Sequence, residues 1–374
     1  MTTPENILKT PLFSLHEELG GKMVPFAGYA MPVQYPLGVL KEHLFTRESA
    51  GLFDVSHMGQ VFLTGLTDED IGKTFEKLVP GNIAGLGDNK LRYTLFLNED
   101  GGIMDDLMAT RFAAKDNTLY LVVNAACKEA DFSHISAKLG GEARLEILND
   151  RALLALQGPK AEMVLSTLWP GAADLTFMTS GIANLEGFEC FISRSGYTGE
   201  DGYEISVPEE GAEKLARKLL SFDEVEPIGL GARDSLRLEA GLCLYGHDLN
   251  ETTSPVEGGL VWALAKARRE VGDFPGASRI MKELKEGATR KRVGIKPLTR
   301  APAREGTEVV ATNGTKIGVI TSGGYGPSFG GPVAMGYLGT EFSEIGTEVG
   351  LNVRSKILPA VVAQLPFYKK SYKR

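Results

Sequence analysis

Apolar residues recur along this chain at two spacings, one typical of helices and the other of strands. The helical spacing is clearest in residues 67–79, in a segment that Pro159 opens, and in residues 209–220. Thr67 and Asp70 are spaced like a helix-capping box, and proline suits the first position of a helix. We therefore expect three short helices, separated by elements of another kind.

Strand-like segments are more numerous than helical ones. Residues 119–125 and 152–157 are short apolar runs, and residues 188–192 alternate with a period of two. Turn signals, Asp-Gly-Gly at residues 100–102 and Asn-Gly at residues 313–314, separate such segments. Because strands and helices do not alternate regularly, a doubly wound parallel sheet is not expected, and the pattern predicts an α+β fold.

The pattern changes between residues 265 and 305. Residues 266–291 are charged and helical in character, and residues 297–306 are typical of a loop. Short segments that favour strands follow, at residues 308–312, 316–321, 333–338 and 348–353. This succession predicts a C-terminal all-β domain in the form of a small barrel.

The composition narrows the class of protein. A hydrophobic fraction of 43% and a charged fraction of 24% are typical of a soluble globular protein, and 374 residues suffice for two or three domains. No segment reaches the roughly 18 to 20 apolar residues that a membrane span needs, so no membrane partner is expected. The net charge of −8 disfavours nucleic acid as a partner, since nucleic-acid binding needs a cationic surface.

Cysteines and histidines give no sign of a metal or disulfide site. Cys127, Cys190 and Cys243 are widely spaced, and none belongs to a C-x-x-C pair. The five histidines lack an H-x-x-x-H pattern, so a metal site has no support. Residues 1–13 contain neither an apolar signal core nor an Arg-rich transit segment, and we expect a reducing, cytoplasmic location.

The segment LFDVSHMG places Asp54, Ser56 and His57 close together. One interpretation is a nucleophile or an acid–base cluster. The other is a turn in which Asp54 or Ser56 binds local backbone. Proximity in sequence leaves both open, because a catalytic triad is defined by its geometry.

A hairpin-like turn at residues 98–102 leads into a strand that carries Asp105 and Asp106. Adjacent residues of a strand point to opposite faces, so one carboxylate should face the solvent and the other the interior or a cleft. An inward carboxylate is costly to bury without a partner. One of the two is therefore a candidate for a charged catalytic group.

Two further segments are rich in glycine. Residues 193–204 combine three glycines, two tyrosines and three acids, which suits either a site for a planar, nitrogen-rich ligand or a surface hairpin. Residues 229–234 begin like a dinucleotide loop but lack its ending, so NAD or FAD binding is not expected. Arg233 and Asp234 suit a buried ion pair or an anion clamp. The basic residues 368–374 are expected to form a solvated tail, with docking of an anion as the alternative.

The motifs quoted above belong to a longer ordered series. Its members are TPLF from Thr10, MVPFAGYAMP from Met23, GLFDVSHMG from Gly51, GGIMDDL from Gly101, ALQGPKA from Ala155, SGYTGEDGYE from Ser195, GLGARDSLRLEAG from Gly229, LYGHDL from Leu244 and TSGGYGPS from Thr321. In order and spacing, the series resembles the aminomethyltransferases, or T-proteins, of the glycine cleavage system over nearly the whole chain. One such motif would be a weak signal, whereas the series is specific.

The resemblance implies a three-domain, cloverleaf-like α+β enzyme with a central folate pocket. The first domain would combine residues 1–53 and 152–265. The second, ferredoxin-like domain would span residues 54–151. The third, residues 266–374, would hold a linker helix and the C-terminal β-barrel.

The resemblance also implies a reaction, its partners and its residues. The family takes an aminomethyl group from the lipoyl arm of H-protein, releases ammonia and passes the one-carbon unit to tetrahydrofolate, without a metal. The motif G-G-[IV]-x-D-D places the catalytic carboxylate at Asp106, with Asp105 as its neighbour. The family's folate contacts fall on Tyr93, Val122, Asn124, Met178, Tyr197, Glu204 and Arg233, and its C-terminal contact falls on Tyr372 or Lys373.

Two other classes share this fold. Tetrahydrofolate-dependent demethylases act on small methylated sulfonium or amine compounds, and they stay open as an alternative. Folate-binding iron–sulfur assembly proteins carry a motif of the K-G-C-Y-x-G-Q-E type. Residues 242–247 (LCLYGH) have neither the start nor the end of that motif, which disfavours this third class.

Overall fold

The computed structural model describes residues 7–374, so part of the N-terminal segment on which the expected location depends lies outside the described residues. The first 230 residues contain a six-stranded sheet, formed by strands within residues 50–54 and 151–227, and a small three-stranded sheet within residues 8–34. In spatial order the six strands are Ser180–Leu185, Phe188–Ser193, Gly202–Pro208, Arg151–Gln157, Ala50–Asp54 and Val225–Pro227. The three strands are Leu8–Lys9, Tyr29–Gln34 and Lys22–Phe26.

A five-stranded antiparallel sheet is inserted between two adjacent strands of the six-stranded sheet. Its strands, in spatial order, are Lys90–Leu97, Ile103–Arg111, Thr118–Val123, Gly59–Gly65 and Ala143–Ile147. The chain leaves the six-stranded sheet after Ala50–Asp54 and returns in Arg151–Gln157, which pair antiparallel. The two sheets therefore lie close together, with a cavity between them lined by side chains of both.

The C-terminal part of the chain forms a closed six-stranded barrel. Its strands, in order around the barrel, are Arg290–Pro297, Gly331–Gly339, Lys316–Gly326, Glu308–Val310, Glu348–Val353 and Lys356–Ala363. Closure leaves the sheet with no free edge. The predicted α+β class and C-terminal barrel are confirmed, although the strand Arg290–Pro297 begins inside the segment expected to be helical. The domain boundaries given above stay a proposal that fits these sheets.

Helices cover the sheets, and several carry an apolar face into a core. The α-helices are Phe13–Glu18, Val39–Glu48, Ile71–Phe75, Lys128–Leu139, Ala161–Leu168, Glu209–Leu220, Leu230–Glu239, Lys266–Val271 and Ala277–Glu286. Short 3-10 helices are Pro170–Asp174, Val261–Ala263 and Thr340–Phe342. In Glu209–Leu220, Ala212, Leu215 and Leu219 are fully buried, as the spacing predicts. Among residues 7–374, no helix is long and apolar enough to cross a membrane.

Two predicted helices begin later than expected. The helix expected from residue 67 spans Ile71–Phe75, and its start is set by the Asp70 carboxylate, which accepts the backbone N–H groups of Gly72 and Lys73. The helix expected to have Pro159 at its first position starts at Ala161, after Lys160, which makes no side-chain capping hydrogen bond. In both cases the apolar spacing located the helix, and a side-chain cap sets the start of the first one only.

A buried ionic network joins the six-stranded sheet's helices to the barrel and to the C-terminal residues. Glu239 accepts hydrogen bonds from Arg47 and from the backbone N–H groups of Ser328 and Phe329, and its carboxylate lies 3.1 Å from His43 Nε2. Its backbone carbonyl accepts the N–H of Tyr368. Glu239 is fully buried, so its charge depends on these donors.

We expect Glu239→Ala to lower the free energy of unfolding by roughly 3 to 5 kcal/mol, because a buried arginine and two backbone donors lose an acceptor. Urea unfolding followed by circular dichroism measures this change. Glu308→Ala is the matched control, since it breaks an exposed ion pair with Lys316 and should leave the unfolding curve unchanged. Equal curves for both variants and the wild type would contradict the role given to the network.

Candidate active site

Four of the residues assigned by resemblance lie together on the five-stranded sheet. Tyr93 pairs with Met108, and Met108 pairs with Val122, so these positions form a row across three strands. Asp106 and Asn124 each lie two residues along from that row, and residues two apart on a strand share a face. The strand register thus brings Tyr93, Asp106, Val122 and Asn124 to one face.

Asp106 is held by two donors. Tyr93 Oη donates to Asp106 Oδ2 over 3.0 Å, and Asn124 Nδ2 donates to Asp106 Oδ1 over 2.9 Å. Burial raises the pKa of Asp106, and the neighbouring charge of Asp105 raises it further, whereas the two donors act in the opposite direction. Asp106 is therefore a carboxyl group whose proton affinity is raised toward neutral pH, as acid–base or charge-sensitive chemistry requires.

Asp105 shares the amide of Asn124 from the opposite side. Asn124 Nδ2 lies 2.9 Å from Asp105 Oδ1, and the backbone N–H of Asn124 donates to Asp105 Oδ2 over 3.1 Å. Asp105 is fully buried and Asp106 only partly, so the expected division between an interior and an outer carboxylate holds.

A third carboxyl group lies behind Asp105. Asp131, in the first turn of the helix Lys128–Leu139, is almost fully buried, and Cys127 precedes that helix. Burial and the negative charges of Asp105 and Asp106 raise the pKa of Asp131. Neither Asp131 nor the position of Cys127 was singled out from the sequence, since only folding brings the helix beside the strand.

Glu204, Arg233 and Tyr197 form a second group at the six-stranded sheet. Glu204 lies between Ala155 and Ser193 in the sheet and accepts a hydrogen bond of 2.8 Å from Ser195 Oγ. The Arg233 guanidinium lies 4.9 Å from the centre of the Tyr197 ring. Burial lowers the pKa of Arg233, and the charge of Glu204 opposes that change.

A narrow cavity lies between the two sheets that carry these groups. Val122 from the five-stranded sheet and Glu204 from the six-stranded sheet both line it, and Leu91, Met108 and Phe191 supply apolar walls. Arg233 Nη1 is buried without a hydrogen-bond partner among residues 7–374. The carboxylate and the apolar walls of this cavity, together with the unsatisfied donor of Arg233 in the same group as Glu204, are the features that a planar ligand with polar edges would use. Residues 193–204 are largely buried, so the surface-hairpin interpretation is wrong.

Met178 and Tyr372 lie in a third group, beside the edge of both sheets. Met178 takes a positive φ of 67°, and its carbonyl accepts the N–H of Leu91 while its N–H donates to Arg194 O. Such a backbone is strained for a residue other than glycine and persists where surrounding bonds fix it. The Tyr372 ring stacks on Phe177, with centroids 4.0 Å apart and planes 3° apart.

The C-terminal residues are fixed against the protein, so the solvated tail expected from the sequence is wrong. Ser371 donates its N–H to Gly199 O, and Lys373 Nζ lies 2.8 Å from Glu162 Oε2. The backbone of Lys373 accepts the N–H of Phe177. The neighbouring contacts thus hold Tyr372 in place. The side chain of Lys373 forms an ion pair with Glu162.

The DVSH segment does not form an acid–base cluster. Asp54 binds Thr10 and the N–H of Ser56, and it lies 2.8 Å from His16 Nε2 rather than contacting His57. Burial lowers the pKa of His57 to about 4, and Nδ1 has no partner among the described residues. The turn interpretation is therefore confirmed.

Arg233 and Asp234 do not pair with each other. Asp234 instead contacts Arg237, three residues along the helix Leu230–Glu239, where side chains at that spacing are neighbours. Arg233 is left without this ion pair, and its Nη1 has no hydrogen-bond partner among residues 7–374. In the described part of the chain, no group of three or more His, Cys, Asp and Glu side chains is arranged to hold a metal ion.

Comparisons with known proteins all match this chain to one family. Residues 12–268 match the family model described as the GCVT N-terminal domain, and residues 290–369 match the glycine cleavage T-protein C-terminal barrel domain. The mitochondrial aminomethyltransferase of Homo sapiens is 47% identical, with 98% of this chain and 92% of that protein covered. The one of Dictyostelium discoideum is 44% identical, with 100% and 95% covered.

A solved structure is similar over the same extent. The crystal structure of glycine cleavage system aminomethyltransferase T from Bartonella henselae superposes with a TM-score of 0.92 at 45% sequence identity. The match covers 98% of this chain and 100% of the other. The similarity therefore extends over both sheets and the barrel.

We expect Tyr93→Phe to raise the pKa of Asp106 by roughly one unit, because a hydrogen bond to a charged group contributes about 1.5 kcal/mol. The variant loses a donor that favours the ionised carboxylate. Titration of the Asp106 carboxyl carbon by ¹³C NMR measures the midpoint. Tyr120→Phe is the matched control, since its hydroxyl binds Gln60 instead. Equal midpoints in wild type and Tyr93→Phe would contradict this electrostatic account.

Proposed function

The chain belongs to the glycine cleavage T-protein family of aminomethyltransferases, and from that membership we propose its full reaction. The enzyme takes the aminomethyl group carried on the lipoyl arm of H-protein, releases ammonia and transfers the one-carbon unit to tetrahydrofolate. The products are 5,10-methylenetetrahydrofolate and dihydrolipoyl H-protein. The observation that supports this proposal most is the placement of Asp106 between Tyr93 and Asn124, beside a cavity suited to a planar ligand.

The reaction exchanges four bonds. The C–N bond to ammonia and the C–S bond to the lipoyl arm break, and the carbon forms bonds to two nitrogens of tetrahydrofolate. The two protons lost from those nitrogens are balanced by one on ammonia and one on the sulfur. Positive charge develops on the carbon as its first bond breaks, and a carboxylate fixed nearby stabilises that charge.

Asp106 is proposed to supply this carboxylate. Its two donors fix the direction of both oxygens, so no reorientation is needed when charge develops. Its raised pKa also suits it to hold a proton at one step and release it at another. Asn124 positions Asp106 and Asp105 together, and Tyr93 limits the movement of Asp106.

The remaining residues are proposed to hold the pterin of tetrahydrofolate. Glu204 has the acceptors for a heterocycle's N–H edge, and the unpartnered Arg233 Nη1 has a donor for a carbonyl or a ring nitrogen. Val122 and Met178 would contact the ring system from its apolar side. Tyr197, and Tyr372 in its stack with Phe177, would limit the pocket with aromatic surface.

Much of the rate is proposed to come from orientation. The cavity and Asp106 lie on the same face of the five-stranded sheet, so both reactants meet at fixed positions. Holding two reactants in this way replaces a bimolecular encounter by a step within one complex.

The cytoplasmic location stays a prediction, and the relatives named above are mitochondrial by name.

We expect Asp106→Asn to lower kcat by about 10³-fold or more, because the amide keeps the shape of the carboxylate but removes its charge. The assay measures 5,10-methylenetetrahydrofolate formed from aminomethyl-loaded H-protein. The dissociation constant for tetrahydrofolate is the control and should change little. Full turnover by Asp106→Asn would remove Asp106 from the catalytic role.

Measuring 5-methyltetrahydrofolate beside 5,10-methylenetetrahydrofolate separates the demethylase alternative, since transfer of a methyl group from a sulfonium compound gives the methyl product. We expect methylenetetrahydrofolate only with loaded H-protein, and no transfer to tetrahydrofolate from a free methylated sulfonium compound. The two substrates are compared at equal enzyme concentration, with tetrahydrofolate in excess. Comparable rates with the free compound would favour the demethylase.

We expect Glu204→Gln to weaken tetrahydrofolate binding by about tenfold, since it replaces a charged acceptor of N–H groups with a neutral amide. Isothermal titration calorimetry measures the dissociation constant. Glu189→Gln is the matched control, because Glu189 lies on the adjacent strand Phe188–Ser193 but does not line the cavity. Equal weakening in both variants would mean that Glu204 makes no specific contact.

A further inference from the structure

Trp262 presents a large apolar surface at the active site. Its side chain is 67% exposed, and its ring lies over Tyr93, with centroids 5.0 Å apart and planes inclined by 30°. Tyr93 is the residue that donates to Asp106. One face of the indole is thus used by the active-site tyrosine, while most of the remaining surface is open to solvent.

The position of this ring is set by the backbone around it. Trp262 is the middle residue of the 3-10 helix Val261–Ala263, and its neighbours Leu260 and Ala263 are buried in the core beneath. The N–H of Leu260 donates to Pro255 O, and that of Ala265 donates to Pro80 O. Since the segment is anchored on both sides, the backbone holds the indole outside the core, and the exposure of the ring does not come from a mobile loop.

The same segment also supports Arg292. The N–H of Arg292 donates to Glu257 O, and Arg292 Nε donates to Gly258 O. The segment from Glu257 to Ala263 is therefore fixed between the barrel and the five-stranded sheet. The indole at this point leaves apolar surface in contact with water, which is unfavourable and which a smaller residue would avoid.

We propose that the open face of Trp262 is a contact for the apolar, sulfur-bearing arm that delivers the aminomethyl group to Asp106. The inference rests on the proposed function and adds a specificity-determining residue to it. A substrate that brings its carbon to Asp106 must pass near Tyr93, and Trp262 lies directly on Tyr93. A saturated chain ending in sulfur matches an indole face, because sulfur and methylene groups both pack favourably on aromatic rings.

This contact separates carrier-linked substrates from small free ones. A short sulfonium compound has no methylene chain to lie along the indole, whereas a lipoyl arm has both the chain and the sulfur. The acceptor's pterin is proposed above to be held by Glu204 and Arg233, and Trp262 is not among the residues assigned to it. The two Michaelis constants of the enzyme should therefore respond differently to its removal.

We expect Trp262→Ala to raise the KM for aminomethyl-loaded H-protein by about tenfold, the size of one lost aromatic contact. The KM for tetrahydrofolate should stay unchanged, and Trp262→Phe should recover most of the loss. Tyr325→Ala, which removes an exposed aromatic ring from the barrel, is the matched control. A Trp262→Ala enzyme with an unchanged KM for the loaded carrier, or with both constants raised alike, would overturn the inference.

A spectroscopic measurement tests the same contact without turnover. Trp169 and Trp262 are the two tryptophans of the chain, so the difference between the fluorescence of wild type and Trp262→Phe reports on residue 262. We expect dihydrolipoamide to quench this difference signal with a saturable dependence on concentration. A linear dependence, which is typical of random collisions, would contradict the contact.

The two proposals fail separately. If the wild type transfers the one-carbon unit to tetrahydrofolate while Trp262→Ala behaves as the wild type, only the contact is wrong. If the wild type neither binds tetrahydrofolate nor forms 5,10-methylenetetrahydrofolate, the proposed function is wrong, whatever the fluorescence shows.

Discussion

The sharing of one asparagine amide by two adjacent carboxyl groups is the interaction on which this site depends. Asp105 and Asp106 both bind Asn124, and Asp131 lies behind them. Three carboxyl groups so close together cannot all carry a charge in a buried site, so protons are retained within the group. Burial raises the pKa of Asp106 most, and the neighbouring charge of Asp105 raises it further.

The fold places these carboxyl groups opposite a second set of polar residues, which includes Glu204. The five-stranded sheet carries Asp106, and its insertion between Ala50–Asp54 and Arg151–Gln157 brings it against the six-stranded sheet with Glu204. Arg233, on the helix Leu230–Glu239, belongs to the same group as Glu204, whose charge acts on it. The barrel and the C-terminal residues join through Glu239, which is fully buried on that same helix. Folding and site formation are thus coupled through shared elements.

Patterns within one element could be predicted, and contacts between distant elements could not. The helix Glu209–Leu220 was predicted with its bounds, because its apolar face alone specifies it. The helix at Ile71–Phe75 was predicted too long, and at its start the Asp70 cap is the reason. Asp106 was assigned through an ordered series of motifs, and its catalytic role stays a prediction. Trp262 was missed because it is 169 positions from the tyrosine it covers, and nothing local marks it.

The charged residues also show that a side chain near in sequence is a poor guide to the partner that a charged group contacts in the fold. His57 looked reactive beside Asp54, yet Asp54 is occupied by Thr10 and His16, more than 35 residues away. An ion pair between Arg233 and Asp234 was one of two interpretations, yet helix geometry gives Asp234 to Arg237. In each case the nearest residue in sequence was the wrong partner, since burial selects partners in space.

The most direct measurement follows the transferred carbon itself. H-protein loaded with a ¹³C-labelled aminomethyl group is mixed with excess enzyme and tetrahydrofolate, and a single turnover is followed by ¹³C NMR. Transfer at the Asp106 site predicts that the label leaves sulfur and appears in 5,10-methylenetetrahydrofolate, with one ammonia released for each carbon transferred. A label that stays on sulfur, or that appears as free formaldehyde with tetrahydrofolate bound, would contradict it.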